Sequence, residues 1–139
     1  MSQPHDPAAV VRSCLEALQA ADSAAALDLL DPQVEWRNSG LPTLRGRRAQ
    51  AAFTSLERAG VGFEVVIHHL AVDGDVVLTD RTDVLVVGGV RTEFWVCGTF
   101  VVRDGRIVLW DDRFSMRNVL AGAARGLARA APAVLRRGR

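Results

Sequence analysis

Two strand-like segments place charged residues among apolar ones. Arg81 and Asp83 lie two residues apart within residues 78–85, and Asp112 stands between Trp110 and Phe114. Because successive side chains of a strand point to opposite faces, the members of each set share one face. If both faces point inward, they bring together two carboxylates and one guanidinium, a set suited to general acid–base chemistry. The same spacing is also typical of a structural ion pair or a solvent-facing row, and spacing alone leaves these interpretations open.

Composition excludes several other chemistries. All 17 basic residues are arginine and no tyrosine occurs, so a Schiff-base lysine and a tyrosine acid are excluded. The adjacent His68 and His69 are expected on opposite faces of a strand, where they cannot chelate one metal together. Cys14 and Cys97 are far apart and are expected to be buried free thiols rather than a disulfide. We therefore predict no metal and no cofactor.

Length and charge describe the class of protein. A chain of 139 residues, 49% of them hydrophobic, is expected to form a single domain over 1–139, with 1–6 and 132–139 as mobile tails. Without a long apolar run or a signal-like N-terminus, the expected location is the cytoplasm. Residues 116–139 contain six arginines and no acid. They lack interleaved aromatic residues, so we predict a solvated helix and no nucleic-acid or membrane partner.

The first half of the chain reads as helices with one short strand. Asp6 and Pro7 form a helix start, and the apolar residues that follow recur with helical spacing. A second short helix begins at residues 22–23 and is predicted to end at Asp31-Pro32. A strand over 34–38 and a loop over 39–45 precede a third helix over 47–59.

The second half changes to strand periodicity. Residues 63–72, 76–87, 90–103 and 106–114 are rich in β-branched and aromatic residues and are separated by hairpin-turn signals. They predict a four-stranded antiparallel meander, followed by a helix whose apolar positions are Leu120, Ala124, Leu127 and Ala131. The expected fold is α+β: a curved, mostly antiparallel sheet wrapped around the N-terminal helices, cone-shaped, with an internal pocket.

Four segments together resemble a known family. Residues 81–85 (RTDVL), 93–100 (EFWVCGTF), 104–107 (DGRI) and 110–114 (WDDRF) are similar to those of limonene-1,2-epoxide hydrolases. The resemblance runs over roughly residues 8–116. It implies the cone-shaped fold shared with nuclear transport factor 2, ketosteroid isomerase and SnoaL-like polyketide cyclases. It also implies a cytosolic, dimeric, cofactor-independent epoxide hydrolase that adds water to a hydrophobic epoxide in one step and releases a vicinal diol.

The resemblance also assigns roles residue by residue. Arg81 matches the family's bridging arginine, Asp83 its general acid, Asp112 its general base, and Asn38 the asparagine that helps to hold the nucleophilic water. Trp36 stands where the family usually has tyrosine, and an indole donates one hydrogen bond but accepts none. The pocket wall, including the substrate-binding residues, is predicted to contain Trp36, Leu85, Phe94, Val96 and Phe114.

Two other functions remain open. An epoxide-opening or SnoaL-like cyclase of secondary metabolism would use the same acid and base but exclude water, and Trp36 favours it. A non-catalytic small-molecule-binding protein would keep the pocket alone. In each case we expect a homodimer formed through the outer sheet face, because Val86, Glu93, Trp95 and Cys97 make a poor solvent-facing set.

Overall fold

The computed structural model describes residues 6–137, with the side chains of residues 6–131. Residues 1–5 and 138–139, which belong to the two predicted tails, lie outside the described residues. The elements in chain order are α1 (Pro7–Gln19), α2 (Ser23–Asp28), β1 (Leu30–Asn38), β2 (Leu44–Arg45), α3 (Arg47–Arg58), β3 (Gly62–Asp73), β4 (Val76–Val87), β5 (Val90–Arg103), β6 (Arg106–Arg113) and α4 (Met116–Arg137).

The six strands form one sheet in the order β2-β1-β6-β5-β4-β3. Strands β3 to β6 are the predicted antiparallel meander, and helices α1 to α3 pack against the sheet around the core, so the predicted α+β fold is confirmed. The exception to antiparallel pairing is β1, which runs parallel to β6 and aligns Trp36 with Trp110 and Asn38 with Asp112. The N-terminal strand therefore delivers its inward residues to the same level of the cone as those of β6.

The predicted helix end at Asp31-Pro32 is wrong. Helix α2 ends at Asp28, and the two residues lie inside β1. They fit there because the β1–β6 register shifts between Leu30 and Glu35, which leaves Pro32 outside the ladder, where its missing N–H costs no hydrogen bond. Residues 44–45, expected in a loop, form β2 by pairing with β1.

The prediction that His68 and His69 point to opposite faces is also wrong. A register shift between Ile67 and His69 interrupts the alternation of β3. Nε2 of His68 lies 2.7 Å from Oγ1 of Thr82, and Nδ1 of His69 lies 2.9 Å from Oδ2 of Asp80. Since Asp80 and Thr82 share the outer face of β4, both histidines lie on that face.

The two cysteines differ in environment. Cys14 is buried as predicted, and burial raises the pKa of its thiol to about 12. Cys97 is exposed, so the prediction that it is buried is wrong. It lies on the outer face of β5 beside Trp95, which is 51% exposed.

The last helix forms as predicted, but its apolar stripe does not face the core. Leu120 is 65% and Leu127 58% exposed. The face that meets the sheet is made instead by Gly122 and Gly126, where an added Cβ would collide with the carbonyl oxygens of residues 93 and 91. Because β6 pairs with β5 only from residue 97 onward, α4 lies along an edge of β5 that no strand covers. Across the described chain, no helix is long and apolar enough to cross a membrane.

Candidate active site

Arg81 lies at the centre of the site. Its side chain is 0% exposed, in the middle of β4. Nε donates to Oδ1 of Asp83 at 3.0 Å, and Nη2 donates to Oδ2 of Asp83 at 2.8 Å and to Oδ2 of Asp112 at 2.9 Å. Nη1 donates to Oγ1 of Thr79 at 3.3 Å. One guanidinium therefore joins two carboxylates from different strands in a fixed geometry.

A glycine provides the space for this triad of Arg81, Asp83 and Asp112. Gly98 of β5 aligns with Thr79 on one side and Asp112 on the other. A Cβ at Gly98 would lie 2.5 Å from Nη1 of Arg81 and 2.8 Å from both Oδ1 of Asp112 and Oγ1 of Thr79. The buried polar groups thus occupy the volume that a side chain at residue 98 would need.

The ionisation of the triad is set by burial and by mutual attraction. Burial alone favours the neutral form of Arg81, but Asp112 and Asp83 outweigh it and the pKa of the guanidinium is raised. Burial raises the pKa of Asp112 above its ordinary value, although Arg81 opposes the shift. The guanidinium is therefore always charged, and burial opposes the ionisation of Asp112.

The oxygens of Asp112 are not equally used. Oδ2 accepts from Arg81, whereas Oδ1 is buried and accepts no hydrogen bond from the part of the chain that the structure describes. A carboxylate oxygen with free lone pairs is the arrangement that a proton acceptor needs. The same carboxylate lies at the cavity wall, where it can meet a small molecule.

The triad borders an apolar cavity of about 400 Å³ inside the cone. The side chain of Arg81 does not line the cavity, whereas its two partners, Asp83 and Asp112, do. The cavity wall contains every other residue predicted for the site, namely Trp36, Asn38, Asp83, Leu85, Phe94, Val96, Asp112 and Phe114. Phe94 and Phe114 contact each other across the wall, with ring centroids 5.6 Å apart. The sequence-predicted residues are thus brought together in one place.

Trp36 and Asn38 lie beside the inward residues of β6, Trp110 and Asp112. Both belong to the inward face of β1, and the parallel register places Asn38 level with Asp112. The indole of Trp36 stacks on Phe53, with centroids 4.2 Å apart, and its N–H is buried without an acceptor among the described residues. An amide and an indole N–H therefore stand near the acidic end of the cavity.

The sequence did not indicate the other half of the wall. It comes from helices α1 to α3, two strands and the loops after α1, β1 and α3, and contains Leu18, Ala21, Ser23, Leu41, Phe53, Leu56, Glu57, Gly60, Val61, Gly62, Phe63 and Trp110. Helical spacing could have found part of it, since Phe53 and Leu56 lie three residues apart on α3 and so share a face. Trp110 could also have been predicted as a wall residue, because it shares a strand face with Asp112.

A second cavity of about 480 Å³ lies between α4 and β5 and is mainly polar, with Arg91, Arg125 and Arg129 in its wall. It contains neither aspartate of the triad, and Phe94 is the residue that both cavities share. No group of three or more histidine, cysteine or acidic residues within the described residues is arranged to hold a metal ion. The cavity beside the triad is therefore the candidate active site.

Two sequence comparisons find similar proteins. Residues 5–125 match the family model described as the limonene-1,2-epoxide hydrolase catalytic domain. Over 117 residues the chain is 43% identical to epoxide hydrolase EphG of Mycobacterium tuberculosis (strain ATCC 25618 / H37Rv), covering 84% of this chain and 78% of that protein.

Solved structures give the same picture at the level of the fold. The structure of an M. tuberculosis LEH-like epoxide hydrolase superposes with a TM-score of 0.85 at 40% identity, covering 91% of this chain and 95% of that one. TerC co-crystallised with polyporic acid has a TM-score of 0.72 at 17% identity, covering 85% of this chain and 98% of that one, and is similar in fold alone.

Proposed function

Because the chain belongs to the limonene-1,2-epoxide hydrolase family, we propose that it adds water to a hydrophobic epoxide in one step and releases a vicinal diol. The observation that carries this proposal is the buried Arg81, held between two carboxylates at the wall of an apolar cavity. Opening an epoxide with water requires a base for the water and an acid for the leaving oxygen. Two carboxylates in opposite protonation states supply both.

In the proposed reaction, Asp112 is the base and Asp83 the acid. The water oxygen forms a bond to one epoxide carbon while the bond from that carbon to the epoxide oxygen breaks. Asp112 takes a proton from the water, and Asp83 gives its own proton to the departing oxygen. Arg81 bridges the two aspartates and keeps them at fixed separation, while Asn38 helps to hold the water.

The charge of the triad suits an apolar cavity. One guanidinium, two carboxylates and one shared proton sum to zero, which a site of low dielectric tolerates best. Since both carboxylates contact Arg81 directly, the three groups act as one charged unit. Burial favours the proton on Asp112, so a donor to its free oxygen is needed before it can act as the base. A bound water supplies one such donor.

The substrate is expected to be a hydrophobic epoxide. Apolar and aromatic side chains from five strands, two helices and the adjoining loops line the cavity, and three of its polar side chains are those of Asn38, Asp83 and Asp112. Leu85, Phe94, Val96 and Phe114 contribute to this wall. The binding of the apolar part of the substrate would then leave the epoxide ring as the part that meets Asp83 and Asp112.

Isotope labelling tests the proposed reaction. We expect limonene-1,2-epoxide, styrene oxide or cyclohexene oxide to give a diol, because the acid and base are both in place beside the cavity. In a single turnover in ¹⁸O-labelled water with enzyme in excess, mass spectrometry should find the label in the diol and none in the protein. A protein carboxylate that gains ¹⁸O would instead mean a covalent intermediate and would rule out the one-step reaction.

A cyclase is the second candidate, and Trp36 is the observation that favours it. The indole N–H can donate to a water but the ring cannot accept from one, so it orients a water less completely than a tyrosine would. An intramolecular nucleophile could use the same acid and base. A cyclic ether or carbocycle from an epoxide substrate, with no ¹⁸O incorporated, would favour this function over hydrolysis. An unchanged ligand would favour a binding protein.

The second copy of the chain is the expected macromolecular partner. Trp95, Val66 and Leu78 are all about half exposed on the outer sheet face, next to Cys97. Covering these apolar groups favours a homodimer through that face. The residues predicted for it from the sequence, Val86, Glu93, Trp95 and Cys97, lie on the outer faces of β4 and β5, in line with this proposal.

The reactivity of the two thiols tests whether this interface forms. We expect Ellman's reagent to label Cys97 more slowly as protein concentration rises, because association through its face would cover it. Cys14, whose burial raises its pKa to about 12, should react only in denaturant at every concentration. A Cys97→Ser variant is the control for which thiol is counted. A constant labelling rate together with a monomer in sedimentation would contradict the dimer.

A further inference from the structure

Two buried polar atoms on β6 lack hydrogen-bond partners among the described residues. The indole N–H of Trp110 donates to no acceptor, and Oδ1 of Asp112 accepts from no donor, within the residues whose side chains are described. Trp110 and Asp112 are two residues apart on the inward face of the same strand. A buried donor and a buried acceptor that each lack a partner both cost free energy, which a bond between them removes.

The packing of Trp110 limits what its N–H can reach. The ring lies between apolar neighbours, with centroids 5.4 Å from Phe53 and 5.0 Å from Phe100, and 6.1 Å from Trp36. None of these three side chains offers a hydrogen-bond acceptor. The carboxylate of Asp112 is the acidic group that follows two residues later on the same strand face, and an indole N–H can donate to a carboxylate oxygen.

We propose that Trp110 is a positioning residue for the base: its indole N–H donates to Oδ1 of Asp112 and holds the carboxylate toward the cavity. This inference rests on the proposed function of Asp112 as the base. Arg81 holds Oδ2 and Trp110 holds Oδ1, so both oxygens are oriented. Each carboxylate oxygen has two lone pairs, so Oδ1 still has one with which to take the proton of the water.

The bond also offsets the effect of burial on the pKa of the base. Burial raises the pKa of Asp112, while a hydrogen bond from Trp110 lowers it, since the donor stabilises the ionised form. Arg81 acts in the same direction. Trp110 therefore helps to keep Asp112 ionised at the pH at which a water must lose its proton.

Nuclear magnetic resonance of the indole groups tests the bond without any substrate. The chain has three tryptophans, so ¹⁵N labelling gives three indole signals, and Trp110→Phe identifies one of them. We expect the Trp110 signal to shift with pH as Asp112 titrates, and the shift to disappear in Asp112→Asn. A Trp110 signal that does not respond to pH, or responds equally in Asp112→Asn, would overturn the inference even if the enzyme hydrolyses epoxides.

The pH profile supplies the second readout. In Trp110→Phe, we expect the acid limb of kcat/KM for diol formation to move to higher pH, with activity recovering above that limb. The matched control is Phe53→Leu, which disturbs the same aromatic cluster without removing a donor. Because Phe53 lines the cavity, its KM is expected to change, but the acid limb should stay at the same pH. If the acid limb lies at the same pH in Trp110→Phe as in wild type, Trp110 contributes only packing and the inference is wrong. If no epoxide is turned over at all, the proposed function fails, and the indole signal alone decides the inference.

Discussion

The Asp112→Asn variant is expected to lose about 10³-fold in kcat for diol formation, within the range that one positioned acid–base group contributes. Asparagine has the same shape and still accepts from Nη2 of Arg81, so the geometry of the site should persist. It cannot accept a proton from water. The loss should therefore appear in kcat, measured under saturating epoxide, with little change in KM.

A second effect adds to this loss. In the proposed wild-type site, one proton is shared between two carboxylates that face one guanidinium. Removing one ionisable carboxyl removes one of the two sites between which that proton is shared. In the proposed reaction, Asp112→Asn thus removes the base and also disturbs the supply of the proton.

Asp111→Asn is the matched control for this experiment. It makes the same chemical change one residue earlier in β6, on the opposite face, where Asp111 pairs with Arg113 at 3.6 Å. Surface pairs of this kind contribute little to stability, so activity should stay within about twofold of wild type. If Asp112→Asn retained activity comparable to Asp111→Asn, Asp112 would not be the base.

The pH dependence of the free energy of unfolding provides an independent check on the raised pKa of Asp112. Burial raises the pKa of Asp112 in the folded state, so between its unfolded value, near ~3.9, and its raised value the folded protein binds more protons than the unfolded chain. The free energy of unfolding contributed by this group must then fall as pH rises through that window. Asp112→Asn removes this decline, so its stability relative to wild type should increase with pH in urea titrations.

Gly98→Ala is expected to lower kcat/KM by about 100-fold, the cost of misplacing reacting groups by about 1 Å. The added methyl would lie within 2.8 Å of Asp112 and Thr79 and closer still to Arg81, so the triad or the strand must move. Gly98 is not among the residues with positive φ, so backbone strain is not the cause. Overpacking should also reduce the free energy of unfolding by about 1–3 kcal/mol.

The neighbouring Thr99→Ala separates the two causes of such a loss. Thr99 occupies the next position of β5, and its side chain points to the outer face. A substitution there perturbs the strand without touching the triad, so activity should remain near wild type. Wild-type turnover by Gly98→Ala, measured under the same conditions, would mean that the triad tolerates displacement and that its geometry does not limit the rate.

The meander and the positions of the polar residues could be predicted because strand alternation is strict where pairing is regular. Arg81, Asp83 and Asp112 are in regular ladder positions, so their shared face was readable. His68 and Pro32 lie at register shifts, where an extra residue resets the alternation, and no local composition marks such a shift. Two of the wrong predictions, the end of the second helix and the faces of the two histidines, therefore lie at the bulges.

The helical half of the cavity and the contacts of the last helix were harder to predict for another reason. Helical periodicity identifies an apolar face but not the element that it meets. On α4 the periodic leucines are exposed and two glycines make the contact, because the neighbour is a backbone edge rather than a side-chain layer. The buried polar atoms of Trp110 and Asp112 that lack partners among the described residues could not be predicted either, since the sequence does not indicate which buried polar atoms go without a hydrogen bond.

The position of α4 has a consequence for how the protein behaves at high concentration. An uncovered strand edge presents backbone N–H and carbonyl groups to which a foreign strand can add, which is a common route to aggregation. By placing Gly122 and Gly126 directly over the carbonyl oxygens of residues 93 and 91, the helix blocks that edge sterically. A helix that adds little to the core thus protects the sheet from polymerising through its open side.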